Sequence, residues 1–304
     1  MEKYTNWRDN GTGIAPFLPN TIRKPSKVMT ACLLGILGVK TIIMLPLIML
    51  YLLTGQNNLL GLILKFTFSW KEEITVQGIK KRDVRKSKHY PQKGKLYICN
   101  CTSPLDAFSV VLLAQGPVTL LVPSNDIVYK VSIREFINFI LAGGLDIKLY
   151  GHEVAELSQL GNTVNFMFAE GTSCNGKSVL PFSITGKKLK EFIDPSITTM
   201  NPAMAKTKKF ELQTIQIKTN KTAITTLPIS NMEYLSRFLN KGINVKCKIN
   251  EPQVLSDNLE ELRVALNGGD KYKLVSRKLD VESKRNFVKE YISDQRKKRK
   301  YKYL

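Results

Sequence analysis

The sequence predicts an α/β fold joined to a membrane-embedded N-terminal segment, and three observations lead there. Between residues 96 and 168, short apolar runs bounded by turn formers alternate with stretches of helical apolar spacing, the pattern of strands joined by crossover helices. Residues 28–53 form an apolar run of 26 residues interrupted by one charge, Lys40. Hydrophobic residues make up 43% of the chain and charged residues 23%, which supplies a sizeable core and excludes a disordered chain. No Gly-, Ser- or Pro-rich linker and no internal repeat divides the 304 residues, so one large or two small domains fit the length.

In chain order, residues 1–27 are a polar leader expected in the cytosol. The run that follows exceeds the roughly 20 residues needed to cross hydrocarbon. The long leader ahead of it and the lack of a small-residue cleavage site behind it predict an uncleaved anchor rather than a signal peptide. A buried core helix is the alternative, but globular helices rarely run this long without a polar face. Lys40 and Pro46 interrupt a straight span, and a second apolar stretch, 59–68, follows a TGQNN break. The anchor, residues 28–68, therefore reads as a helical hairpin or a single span. Arg8, Arg23, Lys24 and Lys27 precede it, and residues 77–95 hold eight Lys or Arg against one Asp. Basic residues on both flanks place both ends on the cytosolic side and favour the hairpin.

Residues 69–270 form the soluble domain. Strands are expected at 96–100, 119–122, 147–149 and 164–168, and helices at 106–114, 133–142 and 153–160. Residues 212–218 and 243–249 alternate with period two and read as half-exposed strands. A helix at 258–266 has Asp257 as N-cap, Glu260 completing a capping box and Gly268 just past its end. Residues 194–209, with Pro195 and Pro202, read as a surface loop.

Residues 271–304 form a basic C-terminal helix and tail, with thirteen Lys or Arg against four Asp or Glu; 281–292 is amphipathic. The chain as a whole carries +21. Basic segments are drawn to anionic headgroups by about 1 kcal/mol per residue near the surface, and no DNA- or RNA-reading motif accompanies them. A bilayer with an anionic lipid surface, rather than nucleic acid, is the expected partner. The ending Lys300-Tyr301-Lys302-Tyr303-Leu304 resembles the K-x-K-x-x signal that returns membrane proteins to the endoplasmic reticulum from the cytosolic side.

Cys32, Cys99, Cys101, Cys174 and Cys247 are odd in number and widely spread, which points to a reducing compartment. With two histidines, His89 and His152, and no C-x-x-C pair, no metal site is expected.

Two loops follow buried strands, where α/β enzymes place reactive groups. The first is Asn100-Cys101-Thr102-Ser103-Pro104-Leu105-Asp106, with Pro104 in a helical first turn and a helix dipole that would favour negative charge beside Cys101. The second is Phe168-Ala169-Glu170-Gly171-Thr172-Ser173-Cys174-Asn175-Gly176-Lys177, where Gly171 permits close backbone approach and two hydroxyls follow. Taken singly, each also matches an ordinary capped turn.

Together they resemble the glycerolipid acyltransferase superfamily, whose members carry N-H-x-x-x-x-D and, further on, a P-E-G-T box. Asn100 and Asp106 have the matching spacing, and Glu170-Gly171-Thr172 match the second box. TSPLD resembles the TSPID of glycerol-phosphate acyltransferases, and EGTSCNGK the EGT-x-x-N-G-K of lysophospholipid acyltransferases. Leu227-Pro228-Ile229 is similar to the family's V-P-I strand, so the resemblance covers about residues 28–230. Cys101 replaces the family histidine and Ala169 the proline. In the intervening block, Lys130 and Arg134 are the candidates for the basic residue that meets the acceptor phosphate.

The resemblance implies a mixed sheet flanked by helices and the activity of a 1-acylglycerol-3-phosphate O-acyltransferase. Acyl-CoA would be the co-substrate, a lysophospholipid, above all lysophosphatidate, the acceptor, and no cofactor would be needed. It implies Cys101 and Asp106 as catalytic residues, and Asn100, Ser103, Glu170, Gly171, Thr172 and Lys177 as substrate-binding ones. The cytosolic face of the endoplasmic reticulum, or a lipid droplet, would be the location. A thiol of ordinary pKa ~8.5 is a poor neutral-pH base, and Asp106 one turn away raises it further. Cys101 would thus serve as a base, as a nucleophile forming an acyl-enzyme, or mark a fold that lost catalysis and became a membrane or lipid-droplet adaptor. Neither His89, in the basic loop, nor His152 is expected to substitute.

Overall fold

The computed structural model describes residues 3–22, 26–199, 209–239 and 241–301. Arg23, Lys24, the centre of the expected 194–209 loop and the last three residues of the K-x-K-x-x ending lie outside the described residues.

Among the described residues the domain is a mixed sheet of nine strands. Its elements are β1 (Lys71–Val76), β2 (Leu96–Cys99), β3 (Val118–Ser124), β4 (Ile127–Val131), β5 (His152–Val154), β6 (Val164–Phe168), β7 (Glu211–Thr219), β8 (Asn244–Ile249) and β9 (Gln253–Val254). The order is β1-β8-β7-β2-β6-β3-β4-β5, with β9 pairing β7. The central four, β7, β2, β6 and β3, run parallel to one another, while β8 and β9 pair antiparallel to β7, β4 pairs antiparallel to β3 and β5, and β1 pairs parallel to β8.

The helices are α1 (Lys27–Thr54), α2 (Asn57–Phe68), α3 (Lys86–His89), α4 (Asp106–Leu113), α5 (Ile133–Leu141), α6 (Gly186–Ile193), α7 (Ser196–Thr199), α8 (Asn231–Phe238), α9 (Glu260–Leu266) and α10 (Val281–Tyr301). Strand alternation divides them between the two faces of the sheet. Tyr97 and Cys99 of β2 face a core that includes Val110 and Leu113 of α4, Phe136 of α5 and Phe238 of α8. Leu96 and Ile98 face a second core with Leu189 and Phe192 of α6 and Leu262 of α9. The β2 to β3 connection thus leaves by one face, the β6 to β7 connection by the other, and the strand ends between them form a topological switch point.

Four sequence expectations are corrected here. Residues 147–149 form a 3-10 turn rather than a strand, with only Ile147 buried. Residues 153–160 are not a helix. His152–Val154 pair with β4 as the edge strand β5, and a 3-10 turn covers Leu157–Leu160. The 258–266 helix begins at Glu260. Asp257 is no cap but ion-pairs Lys190 at 2.8 Å, Asn258 accepts the Glu260 N–H at 3.3 Å, and Glu260 pairs with Arg277 instead of closing a box. Part of the expected 194–209 loop is the helical turn α7. Strands β1, β4, β5 and β9 were not expected from the sequence. β1 lies exposed at the sheet edge, where apolar alternation is not required. β4 is reached from β3 by Asn125-Asp126, both at positive φ, a hairpin turn signal that is visible in the sequence.

Among the described residues one helix, Val28–Thr54, is long and apolar enough to cross a membrane, and none of its most apolar window is buried in the protein. Ser26 caps it, Gly55 ends it in the left-handed conformation, and Pro46 lies inside it. α2 turns back against α1 and buries Leu60, Ile63 and Leu64 on the domain. Asn57 fixes α2 to the end of α4, donating to the Val111 carbonyl at 2.9 Å. The leader is part of the fold. Phe17 is fully buried with Phe287 and Val288 of α10, and Tyr4 donates to Asp294 at 2.9 Å.

Candidate active site

Both singled-out loops leave the C-terminal ends of adjacent parallel strands, β2 and β6, and they are stitched to each other. The Cys101 N–H donates to Glu170 Oε1 at 2.8 Å, and the Cys174 N–H donates to the Cys101 carbonyl at 3.1 Å. Glu170 Oε2 accepts the Leu180 N–H at 2.8 Å, so one carboxylate clasps three chain segments. Gly171 has φ +65, and a Cβ there would meet Ser183 Oγ and the Pro123 carbonyl. Glycine is required because the β6 loop passes hard against the end of β3.

In the first loop, Asn100 extends the sheet past β2. Its Nδ2 donates to the Ile217 carbonyl at 2.9 Å and its Oδ1 accepts the Ile217 N–H at 2.6 Å. Asp106 Oδ2 accepts the N–H groups of Thr102 and Ser103 at 2.7 and 2.9 Å and the Thr102 hydroxyl at 3.2 Å. The carboxylate therefore folds its own loop, and its other oxygen is buried without a partner. Ser103 Oγ donates to the Ala223 carbonyl at 2.8 Å and accepts the Leu105 N–H. These contacts build the loop rather than point into open space, and Cys101, Ser103, Asp106 and Glu170 are all buried.

Burial dominates the electrostatics. It pushes Asp106 up to about 7 against the opposing loop hydrogen bonds. Desolvation also raises Glu170 to about 7, opposed by the Leu180 and Cys101 N–H groups and by Arg263. The Cys101 thiol is pushed well above its ordinary value, first by burial, then by Asp106 and Glu170. A thiol so placed is protonated at neutral pH, which disfavours both the base and the thiolate nucleophile roles considered for it.

Two buried cations complete the site, and the sequence reading missed both. Lys284 on α10 is fully buried and donates to Thr172 Oγ1, the Ser173 carbonyl and Ser173 Oγ at 2.9, 2.7 and 3.0 Å. Desolvation lowers it to about 7, countered by Cys101, Cys174 and Glu170. Thr172 in turn donates to the Gly144 carbonyl. Arg263 on α9 donates to the carbonyls of Val179, Leu180 and Val275 at 3.0–3.1 Å. Lys284 lies in the α10 stripe with Phe287, Val288 and Tyr291; a lysine at a helical core position is a signal the sequence carried.

The remaining candidates lie outside this buried centre. Lys177 is exposed on the turn after Asn175, whose side chain is held by the Ala15 and Leu18 carbonyls of the leader. Lys130 is exposed on β4, Arg134 on the first turn of α5, and His152 on β5. His89 accepts the Arg85 N–H at 2.9 Å in the basic segment. Among the described residues no group of three or more His, Cys, Asp or Glu side chains is placed to hold a metal ion.

Beside the first loop lies a cavity of about 380 Å³, whose lining includes Asn100, Thr102 and Gly176. The buried Asp106 and this cavity are one residue apart, since Thr102 both lines the cavity and hydrogen-bonds Asp106. No protein-family model matches the chain, and no solved structure matches it.

Proposed function

We propose that the chain is a membrane-bound O-acyltransferase that moves a fatty acyl group from acyl-CoA to the free hydroxyl of a lysophospholipid. Lysophosphatidate, giving phosphatidate, is the acceptor that the resemblance of its two loops implies. The observation that carries the proposal is the meeting of those loops, 69 residues apart, at the switch point of the sheet through the Cys101 N–H to Glu170 bond.

In this reading Asp106, not Cys101, takes the proton. Its Oδ1 has no partner and its pKa of about 7 matches a neutral-pH base, whereas the thiol stays protonated. The acceptor oxygen attacks the thioester carbon, its proton passes to Asp106, the C–S bond breaks, and the proton returns to the departing CoA sulfur. Lys284 and Glu170 hold the loops in place. The helix Val28–Thr54 keeps the domain on the cytosolic face of the endoplasmic reticulum or on a lipid droplet, where both acyl chains are at hand.

The test is transfer from labelled oleoyl-CoA to a panel of lysophospholipids by the purified chain. Asp106→Asn keeps an acceptor oxygen for the loop N–H groups and should lose about 100-fold or more in rate. Cys101→Ala should retain most activity. Loss in Cys101→Ala with Asp106→Asn active would overturn the assignment of the base. The complete burial of Cys101, Asp106 and Glu170 favours one other reading, a non-catalytic membrane adaptor. A parent chain inactive on every acceptor would select it.

A further inference from the structure

The 380 Å³ cavity beside the Asn100–Asp106 loop is lined by Lys177, Lys218, Lys221 and Lys273, and by no Asp or Glu. The four lysines reach it from three separate places: the turn after the second loop, the end of β7 with the turn beyond it, and the segment before α10. Lys273 is ion-paired with Asp270 at 2.9 Å. Gathering like charges around one concavity is unfavourable unless an anion offsets them, and a cleft of one sign concentrates anionic ligands. The exposed Gly176 lines the same space and adds backbone suited to phosphate oxygens, while Asn100 and Thr102, bonded to Ile217 and Asp106, form its floor.

We infer that this cavity is a binding site for phosphate esters, and that it takes the phosphate groups of the acyl donor's nucleotide. The charge decides between the two substrates. Coenzyme A carries a diphosphate and a further phosphate monoester, which Lys177, Lys218 and Lys221 can match beside the Asp270-paired Lys273, whereas a lysophospholipid of the expected kind carries a single phosphate. The volume admits a phosphorylated headgroup and leaves the remainder of a nucleotide in solvent. A donor seated here brings its thioester arm past Thr102 toward Asp106. Naming the acyl donor rests on the acyltransferase reading; the anion site itself does not.

The full chain in neutral phosphatidylcholine nanodiscs would be titrated calorimetrically with coenzyme A, glycerol 3-phosphate and inorganic phosphate. A Lys218→Gln/Lys221→Gln variant should weaken coenzyme A at least tenfold with unchanged circular dichroism, and Lys177→Gln severalfold. A Lys81→Gln/Lys88→Gln control on the basic segment outside the cavity should bind as the parent does. No binding of any of the three compounds to the parent, or equal loss in the control, would overturn the site. Tighter binding of glycerol 3-phosphate than of coenzyme A would overturn the donor assignment. Selective loss of coenzyme A binding in a chain that transfers no acyl group would uphold the site and defeat the acyltransferase reading instead.

Discussion

Three buried ionisable side chains decide how the site responds to pH. Asp106 and Glu170 are raised to about 7, from ordinary values of 3.8 and 4.5, and Lys284 is lowered to about 7 from 10.5. Between about pH 4 and 7 the folded chain holds protons on the two carboxyls that the unfolded chain has released, so stability falls as pH rises. Between about pH 7 and 9 the unfolded chain holds the lysine proton that the folded chain has lost, so stability rises again, until the buried thiols of Cys99, Cys101 and Cys174, all pushed above their ordinary value, keep protons that the unfolded chain releases and reverse the trend. Chemical unfolding followed across this range should show a trough near neutrality. Lys284→Met should flatten the alkaline rise and Asp106→Asn the acid fall; a profile unchanged by both would refute the assignment. At Gly171, alanine would meet Ser183 and Pro123 at a φ of +65. A loss of about 1–3 kcal/mol in the same unfolding assay is expected.

Among the elements, α10 and α2 matter most, because each joins a peripheral segment to one of the two loops. α10 sets Lys284 under Thr172 and Ser173 and packs Phe287 against Tyr4, Trp7 and Phe17 of the leader, with ring centroids 5.6–6.0 Å apart. Phe287→Ala should cost about 3–5 kcal/mol and, measured by limited proteolysis, expose the leader before the rest of the domain. α2 connects the apolar α1 to α4, whose first residue is Asp106. Asn57→Ala removes the bonds to the Val111 and Ala114 carbonyls and should leave folding close to unchanged, at about 1 kcal/mol. Hydrogen exchange of the α4 amides should report it as faster opening.

For the whole molecule, the proposed anchoring raises the question of how α1 would meet a bilayer. Its 28 residues make a rod of about 42 Å. The leader up to Ile22 lines a cavity on the domain, and α2 packs on the same domain just after Gly55. Both ends of α1 are thus tied within a few residues to one body, whereas a spanning helix would part its ends by about 30 Å of hydrocarbon. We expect α1 to lie along the membrane with both termini on one side. Epitope tags at the two ends should both be digested by protease in sealed microsomes. Protection of the N-terminal tag until detergent is added would show a single span.

Read alone, the sequence determined what local pattern encodes: the apolar helix, the strands β2, β3, β6, β7 and β8 and the free scatter of five cysteines; that the two loops belong together was implied by their resemblance to a family. Lys284 was legible only as a basic residue on the apolar stripe of α10, and Arg263 was hidden because a basic side chain in a charged helix looks solvated until the fold desolvates it. The roles of Asn100 and Asp106 were hidden for a related reason, since their partners, Ile217 across the sheet and the loop's own N–H groups, are set by backbone geometry. Edge strands such as β1 escaped because an exposed edge places no demand on apolar alternation. What only the tertiary structure decided was burial. It raised the Cys101 thiol well above its ordinary value, where the sequence had left base, nucleophile and lost catalysis open, and gathered four lysines from three distant segments around a single cavity.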